Sequence, residues 1–363
     1  MRAVEYHGPG DFRLVERASP TPGAGELLIR VGTAGICGSD VGEYVHDPLF
    51  FPIGERHPHS GHLGPTVAGH EFSGWVEGVG EGVTGFDIGE LVAVGAGVSC
   101  GTCPPCIVGN TNMCLRYWTV GLHADGGLAE QVVVPASCTL VLSGSSLTPD
   151  LAALAQPMAI AVHATRRGRV AEADRVLVLG AGGIGSFITY AAAHSGATVT
   201  AVDLDPGRLG VATSLGAIRT LDATSPVFEE ELAAAEPPTV VFECTARSES
   251  LVRAMRVTAE NGRLVVVGHQ PETVAVDFKL VSMGEREIIG TMAHVFAKDL
   301  PAAVEQIASD PGAWAGVAPT VFPLEDVVRL GLEPMSRGDS QQIKILFDPS
   351  LDAPRPLLTQ SDR

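Results

Sequence analysis

The sequence predicts an α/β protein in which a β-rich unit precedes a doubly wound parallel sheet, and three observations lead there. Short apolar runs between turns rich in Gly, Asp and Pro occupy residues 1–155. Strand and helix patterns alternate from residue 176 to about 290, as a parallel sheet requires. Near the start of that alternation, Val176-Leu177-Val178-Leu179 runs straight into Gly180-Ala181-Gly182-Gly183-Ile184-Gly185, a strand delivered into a glycine-rich turn. A chain of 363 residues is longer than one core usually serves, so the expected division is 1–155, 156–290 and 291–363.

In chain order, residues 27–31 and 91–94 are the clearest strands of the first unit, which suits a small barrel or sandwich. Near residue 151 the texture turns Ala-rich and helical, ending in Arg166, Arg167 and Arg169. After the glycine-rich turn, Ile184, Phe187, Ile188, Ala191 and Ala192 fall on one face of a helix. A strand at 199–202 ends on Asp203; then come a helix near 206–215, a strand at 239–242, a helix near 249–257 and a strand at 263–267 ending at Gly268. From 287 the alternation weakens into a strand at 288–290, helices near 299–307 and 324–332, and a last strand at 343–347. The tail from 348 to 363 is expected to be loosely held.

The turn carries chemistry in its spacing. Gly180 permits the tight bend, Gly182 lets the backbone approach a pyrophosphate, and Gly185 lets the helix pack closely on the strand. The start of that helix, at Gly183 and Ile184, offers free N–H groups and positive dipole to the phosphates. Asp203, at the end of the next strand, is placed to accept hydrogen bonds from ribose hydroxyls and to repel a 2′-phosphate, so NAD is expected over NADP. The alternative for Asp203 is a capping or loop acid, since Asp205-Pro206-Gly207 follows.

Cys100, Cys103, Cys106 and Cys114 lie within fifteen residues. Four thiolates satisfy a tetrahedral zinc and leave no place for a substrate, so that metal would be structural; free or redox-active thiols are the alternative. A second set is dispersed: Cys37-Gly38-Ser39-Asp40 and Gly69-His70-Glu71. Cys37, His70 and Glu71 suit a catalytic zinc with an open position, Asp40 could orient the His70 imidazole, and the Ser39 hydroxyl could pass a proton. Taken alone, Cys37 reads equally as a buried small hydrophobe and His70 as a core histidine. Beside a dinucleotide turn they suggest alcohol oxidation, with hydride passing to nicotinamide in a cleft between the two units.

Bulk composition narrows the field. Net charge is −18 and the isoelectric point about 4.9, which disfavours a nucleic-acid or anionic-membrane partner. The apolar run at Val176 is broken by glycines long before a membrane span is reached, and no segment resembles a signal peptide. A cytoplasmic enzyme is expected.

Together these residues resemble the zinc-dependent medium-chain alcohol dehydrogenases. The resemblance runs from Met1 to about Pro349, through Gly35-Ile36-Cys37-Gly38-Ser39-Asp40, Gly69-His70-Glu71-Phe72-Ser73-Gly74, the four-cysteine loop and the turn with Asp203. It implies a GroES-like catalytic domain, a Rossmann domain for NAD, a last segment returning to the catalytic domain, and two zinc ions per chain. It also implies a small-molecule alcohol or ketone substrate and a homodimer or homotetramer. Within the family, Val41-Gly42-Glu43-Tyr44 and the long segment 45–67 look like the sorbitol and 2,3-butanediol dehydrogenase branch.

The resemblance places Arg208 near the adenosine ribose, with a solvated helix residue as the alternative, and Thr245 and Gly268 on loops that approach NAD. His294 occupies a place where relatives often show Tyr. Two departures stand out. Gln156 precedes Pro157 where relatives usually carry Glu, which would lower the negative charge around the zinc if it lies close. Gly42 stands where the branch has a relay His; His46, His57, His59 or His62 could replace it, against a polar, flexible surface loop. Tyr44 is a candidate for substrate contact or plain packing. The resulting expectation is an NAD-dependent oxidoreductase for a vicinal diol or polyol-like alcohol. The rivals are a pathway-specific reductase for an aldehyde, amino alcohol or cyclitol derivative, and a non-catalytic NAD-binding protein.

Overall fold

The computed structural model describes residues 1–270, 272–340 and 342–359, and the chain separates into two compact units, Met1–Ala159 with His294–Arg363, and Ile160–Ala293. The chain first lays down β1 (Arg2–Gly8), β2 (Asp11–Glu16), β3 (Glu26–Ile36), β4 (Thr66–Val67), β5 (Glu71–Val79), β6 (Leu91–Val94), β7 (Gly97–Val98), β8 (Trp118–Thr119), β9 (Gln131–Pro135) and β10 (Thr139–Val141). The second unit holds β11 (Arg175–Leu179), β12 (Thr198–Asp203), β13 (Arg219–Asp222), β14 (Val240–Glu243), β15 (Arg263–Val266) and β16 (Glu287–Gly290). The return to the first unit adds β17 (Thr320–Pro323), β18 (Ile345–Asp348) and β19 (Arg355–Pro356).

The main sheet of the first unit runs β10-β6-β5-β3-β18-β17-β19, with β9 also on β3. Its centre is β3, where alternating burial gives way to six consecutive buried residues as layers close over both faces. Leu27, Ile29, Phe72, Val134 and Phe347 fill the core it shares with its neighbours. Strand β18, from the far end of the chain, pairs antiparallel with β3, setting Ile345 opposite Ile36. This is the GroES-like β-rich body expected from the resemblance.

The second unit is a six-stranded parallel sheet in the order β13-β12-β11-β14-β15-β16. The order reverses beside β11, and a ligand crevice opens outside the carboxyl ends of the strands at such a reversal. Leu177, Leu179, Val202, Val241 and Leu264 are buried in one cluster with Leu251, Ala254 and Met255 of helix Ser248–Val257. The doubly wound Rossmann sheet is therefore present; five of its strands lie within about two residues of those expected, and the sixth, the edge strand β13, was not expected, since only Leu221 of its four residues is buried.

Three local expectations differ. Residues 324–332 form not one α-helix but a 3-10 turn, Leu324–Asp326, followed by a π-type turn, Val327–Leu332. Pro334 lies in the first turn of the next helix, Glu333–Arg337; it has no N–H to return, and its ring crowds the carbonyl four residues back, so the ladder widens. The segment 45–67 is only partly a surface loop. His46 and His59 are exposed, but Phe51 is buried against Tyr6 and Phe12 at centroid distances of 4.6 and 6.1 Å. The buried Glu43 carboxylate accepts the N–H groups of Leu49 and Phe50 at 3.0 and 2.7 Å, and the His57 ring packs on His123 at 4.4 Å.

The third difference is the tail. Rather than lying loose, Arg355 donates to Asp150 at 2.5 and 2.9 Å and to Asp348 at 2.9 Å, and the Leu358 N–H donates to Asp150 at 2.8 Å. Asp150 is fully buried and also takes the Thr33 hydroxyl at 2.6 Å. Residues 360–363 lie outside the described residues. Removing one partner strands a buried charge, so Arg355→Leu is expected to cost about 3 kcal/mol of unfolding free energy. A second change, Asp150→Asn, should recover part of that loss in denaturant melts, and equal stability of Arg355→Leu and wild type would refute the clamp.

Candidate active site

The sheet register assembles the site. Strand β3 ends at Ile36 and hands the chain to Cys37, which opens helix Gly38–Val45; Glu71, the first residue of β5, sits opposite Gly35. A Cβ at Gly35 would come within 2.9 Å of a Glu71 carboxylate oxygen, so glycine there makes room for the acid. Cys37 and the adjacent pair His70 and Glu71, more than thirty residues further along, thus bring one donor atom each to within 4.8 Å of one another. Thiolate, imidazole and carboxylate are the donor set of an open zinc site.

Buried polar atoms around this trio support the fit. Ser39 Oγ, Asp40 Oδ1 and His70 Nδ1 lack hydrogen-bond partners among the described residues. Asp40 lies 3.8 Å from His70 Nδ1, too far for the direct hydrogen bond expected of an orienting acid, because its other oxygen accepts the Cys37 N–H at 2.8 Å and is held at the helix start. Burial works against a charged imidazole at His70, yet Asp40, Cys37 and Glu71 outweigh it and raise its pKa to about 9. A metal binding His70 therefore has a proton to displace.

Sequence reasoning missed Lys344. Its Nζ lies 2.5 Å from both Glu71 oxygens and 3.3 Å from the Ile36 carbonyl, and the side chain is buried. The available signal was a lone cation between Ile343 and Ile345, since a charge in an apolar strand has to find its partner inside. Gln156 is buried in the first turn of helix Ala155–Arg167. A Cβ at Gly42 would meet no atom, so the absent relay imidazole is not excluded by crowding. Tyr44 packs on Phe12 at 6.0 Å, and His294 donates through Nε2 to the Gly95 carbonyl at 2.8 Å.

Cys100, Cys103, Cys106 and Cys114 likewise gather within 4.8 Å. The sulfurs of Cys103 stand 3.4 and 3.8 Å from those of Cys106 and Cys114. A tetrahedron with Zn–S bonds of about 2.3 Å has edges of about 3.8 Å, so the spacing fits zinc. Backbone N–H groups of Cys100 and Arg116 both donate to Cys114 Sγ at 3.2 Å, and hydrogen bonds from Thr102 are the main cause lowering the Cys100 pKa to about 5. Burial pushes the Cys106 thiol the other way, up to about 12, so the hydrogen bonds favour a thiolate at Cys100 and not at every sulfur.

In the second unit, Gly180 has φ +94°, and a Cβ at Gly185 would collide with the Gly180 carbonyl oxygen. A Cβ at Gly182 or Gly183 would meet nothing closer than Arg208 at 3.6 Å, which leaves the N-terminus of helix Gly183–His194, with Ile184 in its first turn, open to a phosphate group. Asp203 is partly occupied as a loop acid: Oδ2 accepts Ala181 N–H at 2.7 Å and Oδ1 accepts Leu204 N–H at 2.8 Å. The helix cap is Asp205, not Asp203. Arg208 reaches to 3.8 Å from Asp203. Thr245 and Gly268 follow β14 and β15 at the same end of the sheet.

A dinucleotide turn in one unit and two thiolate-bearing metal sites in the other are the equipment of a zinc-dependent dehydrogenase. Residues 23–144 match the alcohol dehydrogenase GroES-like domain and residues 183–309 the zinc-binding dehydrogenase family. Sorbitol dehydrogenase of Gallus gallus is 32% identical over 96% of this chain and 97% of its own length. The crystal structure of 2R,3R-butanediol dehydrogenase from Bacillus subtilis superposes with a TM-score of 0.88 at 28% identity, covering 96% of this chain and 99% of that one. The rspB alcohol dehydrogenase of Escherichia coli CFT073, complexed with NADH, gives 0.84 at 29% identity, covering 96% and 99%. The chain belongs to the zinc-dependent medium-chain alcohol dehydrogenases. No helix among the described residues is long and apolar enough to cross a membrane.

Proposed function

We propose that the chain oxidises a secondary alcohol, a vicinal diol or polyol-like molecule, to its ketone with NAD, and runs the reverse reduction. The observation that carries this is the convergence of Cys37, His70 and Glu71 within 4.8 Å of one another, with the Ser39 hydroxyl, unpartnered among the described residues, two residues beyond Cys37. When bound, zinc would supply Lewis acidity at the substrate oxygen and NAD the hydride acceptor.

The chain's own groups do the rest. Cys37, His70 and Glu71 would hold the metal; Lys344 neutralises Glu71, so the thiolate of Cys37 would be the main negative charge left to the ion. Gln156, if it faces the ion, adds an oxygen without charge. Ser39 takes the alcohol proton, since its hydroxyl both accepts and donates. Asp203 favours NAD over NADP at the ribose, with Arg208 beside it. All seven cysteines are free, which supports a reducing, cytoplasmic setting.

The test is a substrate panel followed through NADH absorbance. Vicinal diols and sugar alcohols should be the preferred substrates. Turnover confined to aldehydes, amino alcohols or cyclitols would replace this reading with the pathway-specific reductase that Gln156 and Gly42 suggest.

A further inference from the structure

The second unit contains a buried acid that none of the chemistry above uses. Glu243 is the last residue of β14, paired with Leu179 at the end of β11 on one side and with Val266 at the end of β15 on the other. It therefore stands at the carboxyl end of the sheet, next to the reversal in strand order and just across from the turn that begins at Gly180. Its side chain is fully buried.

Both carboxylate oxygens are committed, and to different loops. Oε1 accepts the Thr245 N–H at 2.9 Å and the Thr245 hydroxyl at 2.5 Å, and that hydroxyl in turn accepts the Arg247 N–H at 3.1 Å. Oε2 accepts the side-chain amide of Gln270 at 3.0 Å. The backbone carbonyl of the same residue takes the N–H groups of Val267 and Gly268 at 2.9 and 2.8 Å. One residue thus joins the loop after β14 to the loop after β15.

The join is tight. A Cβ at Gly268 would strike the Ala246 backbone and come within 3.0 Å of Glu243 Oε2, while Ala246 itself is held at φ +57°, a left-handed conformation unusual for alanine. Thr245 also leans on the glycine-rich turn, with its methyl 2.9 Å from where a Gly180 Cβ would stand. Asp203 closes β12, on the opposite side of β11 from β14. With the adenosine ribose on the β12 side, the other half of a dinucleotide lies over β14 and β15.

We propose that Glu243 is a positioning residue for the nicotinamide half of the cofactor, tying Thr245–Arg247 to Gly268–Gln270 so that both loops present a fixed surface to that half. This rests on the dinucleotide reading above and goes beyond it. The role is one of hydrogen-bond acceptance, and the structure provides a specific repair for an amide at this position. The Oε1 of Gln270 is buried with no partner among the described residues, so a flip of that amide would meet a new donor at position 243.

The test measures NADH and ADP-ribose binding by calorimetry, since the two share every group except the nicotinamide. E243A should weaken NADH by about tenfold, the effect of about 1.4 kcal/mol, and leave ADP-ribose within twofold of wild type. E243Q, rescued by the Gln270 flip, should bind NADH within threefold of wild type. If E243A does not fold, T245V and Q270A, which each remove one arm of the tie, carry the test through the same selective loss of NADH. Equal losses for both ligands, no loss for either, or an E243Q as impaired as E243A would overturn the proposal. Failure of wild-type protein to bind ADP-ribose at all would instead overturn the dinucleotide reading, and the tie with it.

Discussion

His70→Ala is expected to lower kcat/KM for alcohol oxidation by about 10³-fold, since the lost Lewis acidity is worth several kcal/mol and ~1.4 kcal/mol is tenfold. The imidazole is one of the three His, Cys and carboxylate donors that gather at its site among the described residues, so the variant should purify with one zinc per chain instead of the two that the thiolate-bearing clusters can hold. The effect should be confined to the metal. ADP-ribose binding should remain at the wild-type level, because the nucleotide turn is built wholly within Ile160–Ala293. Elemental analysis and steady-state kinetics on one preparation check both parts. Wild-type turnover from a variant that still carries two zinc ions would remove His70 from the mechanism.

Cys103→Ser should have the opposite signature, with stability lost before chemistry. The four sulfurs lie in a short loop with little regular structure, only Pro104–Ile107 and Thr111–Met113 being helical turns, so the metal is what holds the loop closed. Structural zinc commonly contributes more than 10 kcal/mol of apparent binding free energy to a small domain, roughly. Even a third of that would lower the melting temperature of a chain this size by about 5 °C. The measurements are a thermal melt and zinc content before and after a chelator. Chelated wild type should melt like the variant, whereas an unchanged melt with the loop metal gone would show that the loop packs without it.

How much of this was legible in the sequence depended on whether the signal was local. Most of the parallel sheet could be read because five of its strands are short apolar runs and the helices carry an apolar face, and the glycine turn because Gly180 and Gly185 meet steric demands of the turn itself; β13 escapes that reading because only Leu221 among its four residues is buried. The four-cysteine loop is likewise contained in one stretch. What the sequence concealed depends on long-range partners. Lys344 finds Glu71 across 273 residues, and Arg355 finds Asp150 across 205. Neither partner announces the other, and a tail of prolines and polar residues looks loose until its arginine is seen between two buried acids. Asp203 illustrates a different loss: the strand-end position was evident, but not that the Ala181 and Leu204 N–H groups would claim its oxygens. Phe51 was concealed by its surroundings, one buried ring in a segment of histidines, glycines and prolines.

The place of β18 sets the order in which this molecule can be completed. The strand that adjoins β3 is made after the whole of the second unit has been synthesised, and the ammonium that balances Glu71 arrives with it. On the ribosome, the early strands must wait with a gap beside β3 and an unbalanced acid at Glu71, while Ile160–Ala293 has all its own strands and can close first. A nascent chain stopped before Ile343 would therefore gain a competent nucleotide fold ahead of a finished metal pocket, so affinity for ADP-ribose should appear earlier in synthesis than any capacity to oxidise an alcohol.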